Sequence, residues 1–359
     1  GDIKKAINNR LAKGNVFEGK PTAEEDFAQL ITESRRASTQ EPTQASIDKY
    51  KLKSAKAVNE ALRADIKDNT KEPPTPTGFK VLDNVFDGGL YSGLYVVGAM
   101  SSLGKTTFVQ QISDQVAQQG KDVLFFSLEM GEKELVSKSV SRETYLHDER
   151  GIRGYTQKET DTIKAAFARH NEYAGHLYII EGVGDVTAQV IRDTVKMLEK
   201  ATGSTPMVVV DYLQLIAPSD MRATDKQNTD RAVLELKKMT RDHNTPVFAI
   251  SSLNRDSYDA PTTMSSFKES GAIEYSSDVL IALDLKEMII DKKSCDVNYE
   301  KKKTPREVTL TVLKNRSGKT GDRVDYSFHP AYNLFEEVGK FNPMPSAESE
   351  FKDKIVSKW

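Results

Sequence analysis

Six short, nearly continuous apolar runs lie between residues 94 and 283, and longer segments with helical spacing separate them. The runs cover residues 94–97, 123–128, 177–180, 207–210, 247–250 and 279–283. Strands that a parallel sheet buries on both faces have this pattern, because neither face is turned to solvent. Between the runs, apolar residues repeat every three or four positions, as at Ile191, Val195 and Leu198. The pattern predicts an α/β domain, with a mainly parallel sheet flanked by helices.

Two more β-rich runs, at residues 307–313 and 323–328, follow a polar and lysine-rich insertion. The residues that join them, 314–321, include Lys314, Arg316 and two glycines. Short strands joined by a glycine-containing segment are typical of a β-hairpin. The sequence therefore predicts a hairpin with a basic tip.

The first part of the chain has a different composition. Residues 1–43 are polar, with one candidate helix over 23–33, and from residue 46 to about 68 apolar residues recur at helical spacing. This stripe comprises Ala55, Val58, Leu62 and Ile66. The proline-rich residues 71–76 must end the helix. The stripe packs either on residues 1–43 or on a neighbouring subunit, and amphipathic spacing does not choose between them.

These breaks predict a polar N-terminal segment (1–43), a linker helix with a proline-rich linker (44–76), an ATPase domain (77–340) and a C-terminal tail (341–359). Of the 359 residues, 38% are hydrophobic and 29% charged, as in soluble globular proteins. No stretch is apolar enough to span a membrane, and no signal peptide is visible. The chain begins with Gly1 rather than Met, as expected of a processed chain or a fragment.

Cysteine content and charge narrow the possible chemistry. The single cysteine, Cys295, excludes an internal disulfide and a cysteine-based zinc site, which favours a reducing compartment. The five histidines are scattered along the chain, so they form no sequence-level metal motif. The net charge is −2. A nucleic-acid site would therefore be a local basic surface and not a property of the whole molecule.

A phosphate-loop pattern follows the first apolar run and precedes a helical segment. It consists of Gly98, Ala99, Met100, Ser101, Ser102, Leu103, Gly104, Lys105, Thr106 and Thr107. A strand, a glycine-containing loop and a helix N-terminus together direct several N–H donors at a triphosphate. An ordinary glycine-containing turn is the simpler alternative, but the strand–loop–helix context favours binding of ATP or GTP.

Three residues of this loop have distinct expected roles. Gly104 allows the backbone to close around the β-phosphate, and Lys105 reaches the β- and γ-phosphate oxygens. The Thr106 hydroxyl is a candidate ligand for Mg²⁺. The pattern departs from the usual one at Ala99, where the first glycine normally stands.

Two acidic residues each directly follow an apolar run, and ligands of open α/β sheets gather at the carboxyl ends of the strands. Asp211 directly follows residues 207–210, where it is a candidate for the Mg²⁺ side of the site. Glu129 follows residues 123–128, where it is a candidate to polarise the attacking water. The simpler alternatives are a turn-capping aspartate and a glutamate in the first turn of a helix.

Five segments in order resemble motifs of the DnaB-type replicative helicases. They are the entry segment 77–83, the catalytic-glutamate motif 127–130, the Walker B motif 211–215, the DNA-binding segment 268–274 and the basic hairpin 314–318. The resemblance covers residues 77–338 and implies a RecA-like P-loop NTPase core. It also implies that Glu129 is the general base, that Asp211 is the acid on the Mg²⁺ side, and that Lys314 and Arg316 contact the γ-phosphate bound to the adjacent subunit.

By the same resemblance, Lys268, Glu269 and Gly271 face single-stranded DNA in the channel of a ring. The loop after the Walker B motif, with Arg222 and Lys226, is a second candidate for DNA contact. A positive lining follows phosphates without reading bases. For any one of these lysines, a solvated surface charge is the simpler alternative.

Two features depart from the family. Ser252 stands where the family has a glutamine that senses the γ-phosphate, and its side chain is much shorter. The N-terminal helical domain of full DnaB proteins is larger than residues 1–43. A divergent phage or plasmid relative, or the helicase part of a longer primase–helicase, fits this difference.

The sequence thus predicts a motor that hydrolyses Mg²⁺-ATP at the interfaces of a homo-oligomeric ring, expected to be a hexamer, and that moves along single-stranded DNA. Primase or a helicase loader is a candidate partner, no membrane is involved, and the bacterial or phage-infected cytoplasm is the expected location. A RecA- or RadA-like ATPase of recombination or repair, which binds DNA without unwinding it, is the first alternative. A signalling or scaffold ring ATPase is the second.

Overall fold

Nine strands form one sheet in the computed structural model, which describes residues 54–67, 73–147, 161–182, 184–218, 221–254, 258–267 and 271–339. The strands are β1 Gly93–Ala99, β2 Val123–Ser127, β3 Leu177–Glu181, β4 Met207–Asp211, β5 Pro246–Ser251, β6 Val279–Leu285, β7 Arg306–Asn315, β8 Arg323–His329 and β9 Leu334–Val338. Their order across the sheet is β3-β2-β4-β5-β1-β6-β7-β8-β9.

The helices of the described residues lie mainly between the strands. They are α1 Ala55–Lys67, α2 Lys80–Val85, α3 Lys105–Gln118, α4 Glu132–His147, α5 Asp161–Ala174, α6 Ala188–Thr202, α7 Asp225–Asp242, α8 Gly271–Ser276, α9 Lys286–Ile290 and α10 Val297–Glu300. No helix in these ranges combines the length and the apolar character that crossing a bilayer requires.

The chain divides into two units, Gly1–Glu72 and Pro73–Trp359. In the first unit, α1 forms within the segment for which the sequence predicts a helix, and Val58 and Leu62 of its apolar stripe are exposed. The rest of that predicted helix, the candidate helix over 23–33 and the tail 341–359 lie outside the described residues.

In the second unit, the six apolar runs form the six strands that pair in parallel, β1 to β6. The prediction of a mainly parallel α/β sheet is therefore confirmed. The last three strands are antiparallel, with β7 paired to both β6 and β8. This topology places the carboxyl ends of β1, β2 and β4 at one edge of the sheet, which we call the nucleotide edge.

The hairpin differs from its prediction in one important respect. Strand β7 continues to Asn315, so Lys314 is a strand residue opposite Leu280 of β6 and not part of the basic tip. Pairing with β6 extends β7 beyond the last residue that pairs with β8, Thr311. The polar insertion before β7 also contains the short helices α9 and α10, and β9 is an additional strand that the sequence pattern did not predict.

A cluster of aromatic rings lies under the N-terminal half of α3. The Phe108 ring stacks on Phe79 at a centroid distance of 5.4 Å and contacts Tyr326 and Phe335 edge-on. These residues come from α3, the entry segment, β8 and β9, so their burial fixes the helix that follows the phosphate loop against the antiparallel end of the sheet.

Candidate functional site

The phosphate loop, residues 98–107, begins inside β1 and ends inside α3. Gly98 and Ala99 are strand residues; Gly98 pairs with β5 and β6, and Ala99 pairs with β6. Met100 and Leu103 are buried, Ser101 and Ser102 are exposed, and Lys105, Thr106 and Thr107 form the first turn of α3. The loop therefore turns its free backbone groups and a helix N-terminus towards the nucleotide edge.

Close packing explains both glycines of the loop. Gly104 has φ +86°, and a Cβ at this position would lie 2.8 Å from the Phe328 ring. A Cβ at Gly98 would lie 2.5 Å from the Phe267 ring. A larger residue at either position would therefore displace an aromatic side chain beneath the loop, and at Gly104 it would also adopt a strained backbone conformation.

The cation and the hydroxyl of the loop lie beside the carboxylate that ends β4. Lys105 Nζ donates to the carbonyl oxygen of Ala99 at 3.0 Å, and Thr106 Oγ1 donates to Asp211 Oδ2 at 2.7 Å. Asp211 is 1% exposed, and its other oxygen, Oδ1, has no hydrogen-bond partner among the described residues. This buried oxygen next to a threonine hydroxyl fits a hydrated Mg²⁺, whose preferred ligands are oxygens.

Burial is the largest influence on the pKa values of Asp211 and Lys105. It raises the pKa of Asp211 to about 6, helped by the charge of Glu129 and opposed by the Thr106 hydrogen bond and by Lys105. Burial also lowers the pKa of Lys105, against the favourable charges of Tyr258, Asp211 and Glu129. The site is thus a place where charged groups are partly desolvated and attract a counter-ion strongly.

Glu129 lies at the same edge, two residues after the end of β2. The backbone N–H of Leu128 donates to the carbonyl oxygen of Asp211 at 2.7 Å, which ties the two strand ends together. The Glu129 side chain is exposed, so water has access to it. The structure therefore brings Lys105, Thr106, Asp211 and Glu129 into one site.

Ser252 follows β5 and takes part in a hydrogen-bond link to the Walker B segment. Gln214 Oε1 accepts a hydrogen bond from the Ser252 backbone N–H at 3.2 Å, and Gln214 Nε2 donates to Ser251 Oγ at 3.0 Å. The link between the two strand ends is thus made by Gln214 and not by a long side chain at position 252.

Lys314 and Arg316 lie at the opposite edge of the sheet, at the carboxyl end of α8. Lys314 Nζ donates to the carbonyl oxygens of Glu274 and Ser277, the latter at 2.8 Å. The Arg316 guanidinium donates to the carbonyl oxygen of Tyr275. Both cations thus satisfy carbonyl groups that the end of a helix leaves without partners.

The residues expected to contact DNA are only partly within the described structure. Gly271 is the first residue of α8, whereas Lys268 and Glu269 lie outside the described residues. Arg222 lies just before α7 and Lys226 in its first turn, and both side chains are exposed. Helix α7 contacts α8, so the two candidate segments lead into neighbouring helices.

Comparison with known proteins decides the family. Residues 75–337 match the model of the family described as DnaB-like helicase C terminal domain. The chain belongs to this family. The match includes the whole sheet except the last residue of β9.

The family resemblance extends to curated relatives. The chain is 31% identical over 265 residues to the replicative DNA helicase DnaC of Bacillus subtilis, which covers 72% of this chain and 56% of that protein. It is equally similar, at 31% over 268 residues, to the replicative DNA helicase DnaB of Geobacillus stearothermophilus. The chain therefore spans about half the length of the curated relatives it matches.

Solved structures share the fold. A DnaB-like replicative helicase, solved in a study of its interactions with primase, gives a TM-score of 0.64 at 21% identity and covers 88% of this chain and 75% of that one. A separately solved ATPase domain superposes with a TM-score of 0.65 at 22% identity, covering 79% of this chain and 99% of that one. A KaiC-like protein from Pyrococcus horikoshii gives 0.51 at 15% identity, covering 75% of this chain and 100% of that one.

Within this DnaB-like domain, three residues that interact with the phosphate loop or with Asp211 were not predicted from the sequence. Lys138 of α4 is partly buried, its pKa is lowered by burial, and Asp211 is among the charges that act on it. The Tyr258 hydroxyl lies 3.1 Å from Ser101 Oγ, and Arg306 contacts Ser102. All three are distant from the phosphate loop in the sequence. The only sequence signal for them is that two are basic and one is aromatic, which does not place them at the site.

Proposed function

We propose that this chain is the ATPase motor of a DnaB-type DNA helicase, which hydrolyses Mg²⁺-ATP between subunits of a ring and moves along single-stranded DNA. The observation that carries the proposal is the separation of two sets of residues. Lys105, Thr106, Asp211 and Glu129 lie at the nucleotide edge, whereas Lys314 and Arg316 lie at the opposite edge.

The strand register gives the size of that separation. Asn315 pairs with Val279, and Val279 pairs with Tyr95, which is four residues before Ala99 at the end of β1. At about 3.3 Å per residue, Asn315 is roughly 13 Å behind the phosphate loop along the strand direction. Arg316 is therefore too far from the phosphate loop of its own chain to contact a nucleotide bound there. We propose that it contacts the nucleotide bound to a second copy of the chain.

The proposed chemistry divides among four residues. Lys105 neutralises the β- and γ-phosphates, and Glu129 orients and deprotonates the attacking water. Thr106 and Asp211 would hold Mg²⁺, which would supply charge stabilisation for the phosphates. Arg316 of a neighbouring subunit, with Lys314, stabilises negative charge on the γ-phosphate, for which both cations must leave the α8 carbonyls.

DNA contact is proposed for the segment that leads into α8. Lys268, Glu269 and Gly271 precede or begin this helix, and Arg222 and Lys226 lie before and within the first turn of the neighbouring α7. The same helix α8 ends at Lys314 and Arg316. A movement of these cations towards a neighbour's nucleotide would therefore act directly on the helix that presents the DNA segment.

The remaining organisation follows the same proposal. Residues 1–43 form an N-terminal segment, residues 44–76 a linker whose helix α1 docks on an adjacent subunit, residues 77–340 the ATPase domain and residues 341–359 a tail. The exposed Val58 and Leu62 support a partner for α1. Primase is a candidate partner because one of the structurally similar helicases was studied for its interactions with primase.

The deciding experiment measures the ATPase rate with and without single-stranded DNA, followed by unwinding of a forked duplex. We expect DNA to stimulate ATP turnover and ATP to drive strand separation. Stimulation without unwinding would favour a recombination-type ATPase, and turnover that ignores DNA would favour a scaffold or signalling ring.

Glu129→Gln tests the general base. We expect this variant to bind ATP nearly as the parent does but to hydrolyse it more slowly, by a factor on the order of 10²–10⁴. Lys105→Ala is the matched comparison, since it should weaken nucleotide binding itself. Fluorescent-nucleotide titration and steady-state ATPase separate the two effects. Turnover near the parent rate in the Glu129 variant would assign the base to another residue.

A further inference from the structure

A basic residue from a distant strand contacts the backbone of the phosphate loop. Arg306 is the first residue of β7, and its Nη1 donates to the carbonyl oxygen of Ser102 at 2.8 Å. Arg306 follows the insertion that carries α9 and α10, and it is separate from the Lys314 and Arg316 pair at the other end of the same strand.

The backbone of the loop explains why this contact matters. Ser102 has φ +67° and Gly104 has φ +86°, so the backbone is left-handed at two of three successive positions in the loop. Such left-handed turns expose successive N–H groups on the concave side, where they bind an anion. A non-glycine residue is strained in this conformation, so Ser102 remains there only if surrounding contacts hold it.

The N–H groups of the loop must point towards the phosphate, whereas the carbonyl group of Ser102 must point away from it. A carbonyl oxygen turned into the loop would repel a phosphate, so it must point outward. The guanidinium of Arg306 accepts no hydrogen bond and can only donate, which makes it a suitable partner for this oxygen. The positive charge of Arg306 also lies on the loop that the phosphates approach.

The guanidinium of Arg306 packs against the ring of Phe328. Its guanidinium carbon lies 5.8 Å from the centroid of the Phe328 ring, and Phe328 fills the space under Gly104. Its Nε is buried without a hydrogen-bond partner among the described residues. Ser102, Arg306, Phe328 and Gly104 thus form one packed unit in which the side chains brace both positive-φ positions of the loop.

We propose that Arg306 is a positioning residue of the phosphate loop, which holds the Ser102 carbonyl away from the nucleotide and so sets the N–H groups for the β-phosphate. This role rests on the proposed nucleotide site and adds to it a contact within the same chain. It predicts an effect on nucleotide affinity and not on the hydrolytic step.

The test compares Arg306→Gln and Arg306→Lys with Arg323→Gln, which removes an exposed arginine from the neighbouring strand β8. Binding of ADP is measured by calorimetry in EDTA, so that no metal contributes, and ATPase kinetics are measured on the same full chains. We expect Arg306→Gln to weaken ADP binding by about 10-fold, the effect of one lost charged hydrogen bond. Arg306→Lys, which keeps the charge and one donor nitrogen, should fall between Arg306→Gln and the parent.

The kinetics distinguish positioning from general support of the fold. KM for ATP should rise with the ADP dissociation constant, while kcat at saturating ATP changes less than about 3-fold. Arg323→Gln should match the parent. ADP binding at parent affinity in Arg306→Gln, or a fall in Tm of Arg306→Lys without any change in affinity, would overturn the positioning role. A parent chain that binds no ADP would instead overturn the proposed nucleotide site together with it.

Discussion

At the scale of single residues, Asp211 combines burial with an incomplete set of partners. Thr106 satisfies one carboxylate oxygen, and the other has no partner among the described residues. The resulting pKa of about 6 lies well above the ordinary value of 3.8. A carboxyl group with a raised pKa stabilises the folded state at low pH, and this contribution is lost as the pH rises through its folded pKa. The site thus holds a charge that the metal-free protein accommodates poorly.

Asp211→Asn should therefore stabilise the metal-free protein at alkaline pH. At pH 8 we expect the free energy of unfolding to increase by about 1–3 kcal/mol, because a buried unpaired charge has been removed. The gain should shrink as the pH falls from 6 towards 4, because the carboxyl of the folded parent is then protonated and neutral. Chemical denaturation in EDTA across this range measures it.

The exposed Asp242, at the end of α7, provides the control for that experiment. Asp242→Asn should leave stability within about 0.5 kcal/mol of the parent at every pH. If Asp211→Asn does not increase the free energy of unfolding at pH 8, or increases it equally at every pH, burial of the Asp211 charge does not destabilise the folded protein.

The residues predictable from sequence are those whose role depends on local spacing. Lys105, Thr106, Asp211 and Glu129 each follow a recognisable strand, and the structure brings them together because parallel strands end at one edge. Arg306 and Lys138 were not predictable in this way. Arg306 contacts the loop and Lys138 interacts electrostatically with Asp211, each from a distant segment. An isolated basic residue at the start of a strand or within a helix has no local signal.

At the scale of elements, strand β7 and helix α8 are connected by side chains. Lys314 projects from the part of β7 that pairs with β6, and its ammonium group contacts several carbonyl oxygens at the end of α8. Arg316 adds a further donor to the same helix end. Because α8 has only six residues, the bonds at its end are a large share of what holds it.

Lys314→Ala should consequently destabilise the second unit, even without nucleotide. We expect a loss of about 1–2 kcal/mol, since the helix-end carbonyls lose a charged donor. For a domain of this size that loss lowers Tm by a few degrees. Lys319→Ala removes an exposed lysine from the hairpin tip and should leave Tm unchanged. Equal melting temperatures for the two variants would show that the contact of Lys314 with α8 contributes nothing.

The sequence predicted elements well where they are buried on both sides. The six apolar runs correspond to β1 to β6 because uninterrupted burial leaves an uninterrupted apolar pattern. The extension of β7 to Asn315 was missed, since residues 313–315 are only partly buried and include Lys314 and Asn315. Strand β9 was missed as well, because only Leu334 and Phe335 of its five residues are buried.

At the scale of the whole molecule, the central claim is that one chain carries two halves of an active site at opposite edges of its sheet. If the proposal is right, such a chain should be inactive alone and should form sites only where the nucleotide edge of one copy meets the β7 end of another. Closed rings of several identical chains arise from such head-to-tail interfaces. The claim therefore concerns assembly, and it is tested by combining two inactive chains.

The most direct measurement mixes Arg316→Ala with Glu129→Gln, each almost inactive by itself, and follows ATPase activity against protein concentration. The mixture should recover part of the parent rate, because some interfaces then carry Glu129 from one subunit and Arg316 from its neighbour. The rate per chain should also rise with concentration as rings assemble. No recovery in the mixture, with a rate strictly proportional to concentration, would contradict the account, because each chain would then work alone.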